Sequence, residues 1–478
     1  MTSAISLHIV GLGCARNDVD AEELAARFAA AGFDLTASPD DAQIVVVNTC
    51  GFIEAAKQDS IDQLLAAAEL RQSGQAQVVV ATGCLAQRYG RDLAEAMPEV
   101  DAVIGFGGYE NIAATVRGLL AGRPAASRPR SGRQLSLTPA GPPPPRPLPP
   151  GPPSQPLPPG PASGPPILRR RLSDAPTAPL KIASGCDRRC AFCAIPSFRG
   201  RLVSRPPAEI AAEAAWLRQA GAVELYLVSE NTTSYGKDLA LADGLPRLLA
   251  DLSRIEPPGW LRLSYLQPAE LKDSLIAAVA ETPQAVPYFD VPFQHAAAPV
   301  LKRMRRFGQG DSFLSLLERI RRACPGAGIR SNVIVGFPGE TAADLAALAD
   351  FLAAADLDAI GVFGYSDEEG TAAASLDGHL DEAEIVARVD DIADLADVLM
   401  AEQARRRVGQ TVDVLVEGFE EGRWRGRAAW QGPESDGETW LESGGPGLAV
   451  GTLVRARVTA AEGVDLTAAP LGGGGGTP

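Results

Sequence analysis

From Pro139 to Pro166 the chain is dominated by proline, densest at Pro142-Pro143-Pro144-Pro145. Proline fixes φ and lacks a backbone donor, so such a run cannot pack a core and reads as an extended, semi-rigid spacer. Whatever folds must fold on either side of it. A chain of 478 residues exceeds the size at which one core keeps growing, and 46% hydrophobic residues are ample for several cores. The division read from the sequence is a first domain over 1–122, a linker over 123–175, a second domain over 176–404, a third over 405–470 and a disordered tail over 471–478.

The first stretch alternates short apolar strands with helices. Leu7-His8-Ile9-Val10, Ile44-Val45-Val46-Val47 and Val78-Val79-Val80 read as strands, and helices are expected around Ala21 to Ala31, Ile61 to Leu70 and near Arg91. That alternation implies a Rossmann-like parallel sheet. Cys14, Cys50 and Cys84 each fall just past the carboxyl end of one strand, the edge at which open α/β sheets bind ligands. Free cysteine is often core, but three at equivalent positions in successive units should converge on one spot. Gly11-x-Gly13 is no dinucleotide fingerprint, because Asn17 stands where the third glycine belongs.

The second stretch offers six strands: Lys181-Ile182-Ala183, Glu224 to Val228, Leu261 to Ser264, Tyr288 to Val291, Arg330 to Val335 and Ala359 to Phe363. Six βα units are too few for a closed eight-stranded barrel. Past Val408, short alternating runs such as Val412 to Glu417 and Leu453 to Val458, separated by glycines, suggest a small antiparallel barrel. The fold class is therefore α/β with a terminal β-barrel.

The chemistry is concentrated in Gly185-Cys186-Asp187-Arg188-Arg189-Cys190-Ala191-Phe192-Cys193. A four-iron cluster ordinarily takes four thiolates, and C-x3-C-x2-C offers three, leaving one iron open. A zinc knuckle would need a fourth ligand and usually shows paired C-x2-C spacing.

This motif, with Ser184, Ala194 to Gly200 and Ser204-Arg205-Pro206, resembles the radical S-adenosylmethionine methylthiotransferases. Gly13 to Asp20, Asn48-Thr49-Cys50-Gly51-Phe52-Ile53 and Thr82 to Tyr89 extend the resemblance, which is closest to the branch acting on an aspartate of a ribosomal protein. It implies a partial (β/α)6 radical SAM barrel, a terminal TRAM domain, two [4Fe-4S] clusters and S-adenosylmethionine. It also implies that Cys186, Cys190 and Cys193 hold one cluster and Cys14, Cys50 and Cys84 an auxiliary one. Phe192, Ser229, Glu230, Gly336 and Gly339 are implied at the cofactor, although relatives show Gln-Asp where this chain has Glu230-Asn231. The 336–340 turn reads equally as a plain strand-to-helix connection. The family has a shorter connection than the proline insert.

Asp290-Val291-Pro292-Phe293-Gln294-His295 followed by Leu301-x-x-Met304-x-Arg306 is similar to the ribosomal-protein branch, so Gln294 and His295 are expected near the substrate. A lone histidine is, however, more often a hydrogen-bonded structural residue. Arg303, Arg305 and Arg306 read as a solvated helix face, and Cys324 as an ordinary small buried residue.

Charge narrows the partner. The chain carries −15, from 44 basic against 59 acidic residues, so it repels phosphate backbones and suits basic proteins. Residues 408–467 alone hold ten acids and five arginines. The interleaved Arg423-Trp424-Arg425-Gly426-Arg427 points the other way, towards RNA, and Arg423 and Trp424 are candidate substrate contacts. The expected partners are a basic small-subunit ribosomal protein, free or within the assembled subunit, and an electron donor such as flavodoxin or ferredoxin. The alternative substrate is isopentenyl-adenosine in transfer RNA. Met1-Thr2-Ser3-Ala4-Ile5 shows no signal peptide, no apolar run approaches the ~20 residues of a membrane span, and seven cysteines lack a pairing pattern. A cytoplasmic protein is expected.

Overall fold

The computed structural model describes residues 5–51, 53–122, 168–433, 436–442 and 448–471. The proline run, the tail beyond Leu471 and Phe52 lie outside them. The chain divides into two compact units, Met1–Ser173 with Ala194–Arg201, and Asp174–Cys193 with Leu202–Pro478.

In the first unit β1 (Ile5–Gly11), α1 (Ala15–Ala30), β2 (Phe33–Leu35), β3 (Ile44–Thr49), α2 (Glu54–Gln72), β4 (Val78–Thr82), α3 (Gly83–Ala96), β5 (Ala102–Val103) and α4 (Ile112–Leu120) follow in order. All strand pairs are parallel, in the order β2-β1-β3-β4-β5. Strand alternation explains the layering. Ile44, Val46 and Val80 bury with Leu24, Phe28 and Ile112 on one face, while Val45, Val47 and Val79 bury with Leu64 and Leu85 on the other. Because both faces are covered, the strands read as continuous apolar runs. A short helix, α5 (Ile195–Phe198), belongs to this unit although it lies 74 residues after Ala121.

The second unit begins with β6 (Thr177–Lys181), and a small antiparallel pair, β7 (Ala183–Ser184) with β8 (Val203–Ser204), frames the cysteine loop. Its remaining parallel strands are β9 (Glu224–Val228), β10 (Trp260–Leu263), β11 (Tyr288–Asp290), β12 (Gly328–Val335) and β13 (Ala359–Gly364). They pair as β10-β9-β6 and β11-β12-β13, linked by a Leu261–Ala285 bridge. Among the described strands, β6 and β13 are edges, so the barrel is open. The first strand departs from expectation. It lies over Thr177–Lys181, and Ala183 turns away to pair antiparallel with Ser204.

The terminal strands β14 (Thr411–Glu420), β15 (Arg423–Ala428), β16 (Thr439–Leu441), β17 (Leu453–Glu462) and β18 (Asp465–Pro470) close a barrel ordered β14-β15-β16-β18-β17. One pair departs from the antiparallel expectation: β16 and β18 are parallel, because β17 intervenes in the chain and reverses it twice. This barrel sits near the amino ends of the parallel strands. Glu224, wholly buried, accepts from Arg262 Nε at 2.5 Å and from Arg427 of β15. Tyr288 and Arg330 both reach Asp436. Among the described residues no helix is long and apolar enough to cross a membrane.

Candidate iron–sulfur and cofactor sites

In the first unit the three cysteines stand at the carboxyl ends of adjacent strands. Cys14 caps α1 after β1, Cys50 follows β3, and Cys84 is the second residue of α3 after β4. Backbone constraints draw these loops together. Gly13 has φ +95°, and a Cβ there would sit 2.9 Å from Cys50 Sγ. At Gly83, φ +90°, a Cβ would meet the Thr49 oxygen at 2.4 Å, so only glycine lets the strand ends approach. Ser60 Oγ takes the Cys50 N–H at 2.9 Å and donates back to the Cys50 carbonyl at 3.0 Å. Burial pushes the Cys84 thiol up to about 11. Arg199 opposes this, while the Cys50 and Cys14 sulfurs add to it, so the three lie within electrostatic reach of one another.

In the second unit the C-x3-C-x2-C loop leaves β7 through Gly185, φ +77°. The Arg188 N–H donates to Cys186 Sγ at 3.4 Å, the Cys193 N–H to the Cys190 carbonyl at 3.2 Å, and Arg306 Nη1 reaches Cys190 Sγ at 3.9 Å. Around Phe192 the backbone is pinned, with the Ala191 N–H on the Met304 carbonyl and the Ala191 carbonyl accepting from Ala373. Burial raises the Cys186 thiol, the Arg188 N–H and charge oppose that, and Cys190 and Glu230 add to it, which places Glu230 beside the loop. Ser229, wholly buried, bonds Thr232 Oγ1 and receives the Asn231 N–H.

Two groups organise this loop: Glu270, which the sequence did not single out, and Arg306, which it read as solvated. Glu270 accepts from Arg188 at 2.7 Å, Ser234 at 2.6 Å, Asn231 at 3.2 Å and Lys237 at 2.9 Å. Burial alone would raise its carboxyl, but these donors hold it at about 2. Arg306 is not on a solvated helix face. The helix α6 (Ala298–Arg303) stops before it, Arg305 adopts φ 56°, and the Arg306 guanidinium turns in to Gln267 Oε1 at 2.6 Å and the Pro292 carbonyl at 2.5 Å. Arg303 likewise bonds the Pro338 carbonyl and Asp377, leaving Arg305 as the exposed member.

Glu270 sets a pH-dependent prediction. A carboxyl held below its ordinary 4.5 in the folded state stabilises fully above that value and loses its contribution as pH falls from about 4.5 towards about 2. Between pH 6 and pH 3, wild type should lose on the order of 1–2 kcal/mol more stability than Glu270→Gln, after solvent screening. Urea midpoints at the two pH values measure this, and parallel losses would contradict it.

His295 is wholly buried. Nδ1 accepts the Ala297 N–H at 3.0 Å, and Nε2 lies 3.2 Å from Glu340 Oε2. Glu340 also accepts from Arg388 at 2.8 Å and from the Gly336 N–H at 3.1 Å. Its carboxyl stays low despite burial because of these partners. The histidine thus lies wholly buried against Glu340 of the 336–340 turn. Gly336 and Gly339 have φ +75° and +81°, and a Cβ would strike Ile385 or the Arg303 guanidinium. Gln294, φ 72°, donates its N–H to the Asn332 carbonyl and accepts from the Ile334 N–H.

The basic-aromatic run divides by position along β15, burial rising from Arg423 to Ala428. Arg423 is exposed over the Trp440 ring at 4.7 Å, and Trp424 packs edge-on to Phe419. Arg425 is spoken for by Glu420 and Glu438 at 2.9 Å each, and Arg427 is buried against Glu224 and Glu417. Cys324 is buried, as expected.

All seven cysteines are free thiols. Among the described residues no three Cys, His, Asp or Glu side chains are arranged to hold one metal ion, as zinc requires. In a four-iron cluster each thiolate takes its own iron. The donor sets fit such clusters, with three thiols apiece and a backbone N–H or guanidinium beside a sulfur.

Residues 6–105 match the family described as Uncharacterized protein family UPF0004, residues 180–352 the Radical SAM superfamily and residues 408–471 the TRAM domain. Ribosomal protein uS12 methylthiotransferase RimO of Nocardioides sp. is 54% identical over 98% of this chain and 97% of its own. Its namesakes in Cutibacterium acnes (98% of each chain) and Kineococcus radiotolerans (98% of this chain, 97% of its own) are 52% and 53% identical. The fold resembles that of the radical S-adenosylmethionine methyltransferase TsrM of Kitasatospora setae, at TM-score 0.51 and 14% identity over 76% of this chain and 72% of that one. At such full-length identity, and with both cysteine trios in place, the chain belongs to the uS12 methylthiotransferase family of radical SAM enzymes.

Proposed function

We propose that this methylthiotransferase modifies the β-carbon of an aspartate in small-subunit ribosomal protein uS12, working with two [4Fe-4S] clusters and two molecules of S-adenosylmethionine. The observation that carries the substrate is full-length similarity to enzymes named for uS12. When bound, the clusters and cofactor supply an open iron, a reducing electron, and the sulfur and methyl that are transferred. Cys186, Cys190 and Cys193 hold one cluster and Cys14, Cys50 and Cys84 the other. Arg306 and Glu270 fix the first cysteine loop by clamping it to the strand-end loops of β10 and β9. Phe192, Ser229, Glu230, Gly336 and Gly339, at the carboxyl ends of barrel strands, bind S-adenosylmethionine. That edge is where barrels carry their chemistry. Gln294 faces the substrate, with His295 acting through Glu340. Arg423 and Trp424 contact the ribosomal partner. The modules are 1–122, 176–404 and 405–470, and a low-potential donor such as flavodoxin or ferredoxin supplies electrons in the cytoplasm.

A protein substrate is favoured over transfer RNA by the state of the terminal arginines. Of the three in the basic run, Arg425 and Arg427 are neutralised by carboxylates, leaving Arg423 for a phosphate. Phosphate contacts supply most non-specific nucleic-acid affinity. The test is mass spectrometry of uS12 and of transfer-RNA nucleosides from cells lacking the gene. Loss of the methylthio mass from uS12 is expected; loss only from the nucleosides would overturn the reading.

A further inference from the structure

We propose that Arg199 is a positioning residue for the centre at Cys14, Cys50 and Cys84, presenting a fixed positive charge and a hydrogen-bond donor to the Cys84 sulfur. The proposal rests on the reading of that trio as a cluster site. Arg199 lies six residues past Cys193, yet the stretch that carries it, Ala194–Arg201, is part of the first unit.

Its Nη2 stands 3.1 Å from Cys84 Sγ, 3.0 Å from Asn17 Oδ1 and 2.9 Å from Asp20 Oδ2. The guanidinium lies over the Phe106 ring at 4.7 Å, and its side chain and that of Asp20 are 5% and 6% exposed. The orientation of Asn17 is fixed by its other end, because both amide hydrogens are used, on the carbonyls of Leu12 at 2.8 Å and Thr49 at 3.0 Å. Its oxygen must therefore face Arg199 and Cys84. Asp20 balances one positive charge, the ring covers one face of the group, and Asn17 sets its in-plane position. The remaining direction is toward sulfur. A structural ion pair with Asp20 alone would not need the guanidinium placed on a ligand sulfur.

Hydrogen bonds and positive charge at cluster sulfurs favour the reduced, more negative state. A midpoint potential therefore separates this role from simple anchoring of the segment. The parent for the test is the full chain with Cys186→Ala, Cys190→Ala and Cys193→Ala, reconstituted without oxygen, so that any iron is at the first-unit trio. Iron content, thermal unfolding and an EPR-monitored redox titration are compared for this parent and for Arg199→Gln and Arg199→Lys made in it. Arg199→Gln should reduce the reduced-to-oxidised ratio at fixed poise at least tenfold, ~59 mV for a one-electron couple. Arg199→Lys, which keeps the charge but not the planar fork, should fall between. Iron loss from Arg199→Gln with unfolding unchanged also supports the assignment. Unchanged potentials in both variants overturn it, as does iron loss that merely follows a lowered unfolding temperature. A parent that binds no iron overturns the two-cluster reading and this proposal with it.

Discussion

Glu224→Ala should destabilise the second unit by about 3–5 kcal/mol, the cost of removing one partner from a buried ionic cluster. Glu224 is fully buried and serves two cations, Arg262 at 0% side-chain exposure and Arg427 at 5%. Burial alone would push its carboxyl up, and the two guanidinium groups hold it at about 2 instead. Without it, Arg262 keeps the Ala429 carbonyl and the Tyr288 and Trp260 rings, none of which carries a full negative charge. Arg427 retains Glu417 and is affected less. The cluster also ties β9 and β10 to the terminal barrel, so its loss should loosen that attachment. Urea denaturation measures the shift. Combining Glu224→Leu with Arg262→Met and Arg427→Met should recover most of it, since well-packed apolar groups often replace a buried ion cluster without loss. A Glu224→Ala midpoint equal to wild type would show that the cluster contributes nothing.

The second large effect concerns the two trios separately. Replacing Cys186, Cys190 and Cys193 by alanine should bring both 5′-deoxyadenosine release and methylthiolation of uS12 to background. Replacing Cys14, Cys50 and Cys84 should abolish methylthiolation while reduced protein still cleaves S-adenosylmethionine. The asymmetry follows from the placement of the trios. The C-x3-C-x2-C loop stands with Ser229, Glu230 and the 336–340 turn at the barrel edge, whereas the other trio stands at the edge of a separate sheet. Chromatography with mass detection reads both products. Loss of cofactor cleavage in the Cys14, Cys50 and Cys84 variant, with its other cluster still loaded, would contradict this division.

Strands buried on both faces were legible because their short, largely apolar runs survive in the sequence: Ile44 to Val47, Val78 to Val80 and Glu224 to Val228 lie where the pattern puts them. The strands β2 and β5 were not, since three and two residues at a sheet margin carry no periodicity. Cysteine spacing placed three sulfurs at neighbouring strand ends, because a parallel sheet converts sequence order into a shared edge. The charged groups around them were hidden for a physical reason. Arg199, Glu270 and Arg306 look like solvated side chains until tertiary structure supplies Asp20, Arg188 and Gln267. For Arg306 the deciding event is a single residue, Arg305, whose φ of 56° ends the helical direction. In the basic-aromatic run Arg423, Arg425 and Arg427 share one face of β15, and position along the strand, with Arg423 at its start and Arg427 against Glu224, separates them, a distinction composition cannot make.

Iron counting tests the central claim most directly. Prepared and reconstituted without oxygen, the protein should hold about eight irons per chain, falling to about four in either triple-alanine variant. A wild-type value of about four that is unmoved by replacing Cys14, Cys50 and Cys84 would contradict it.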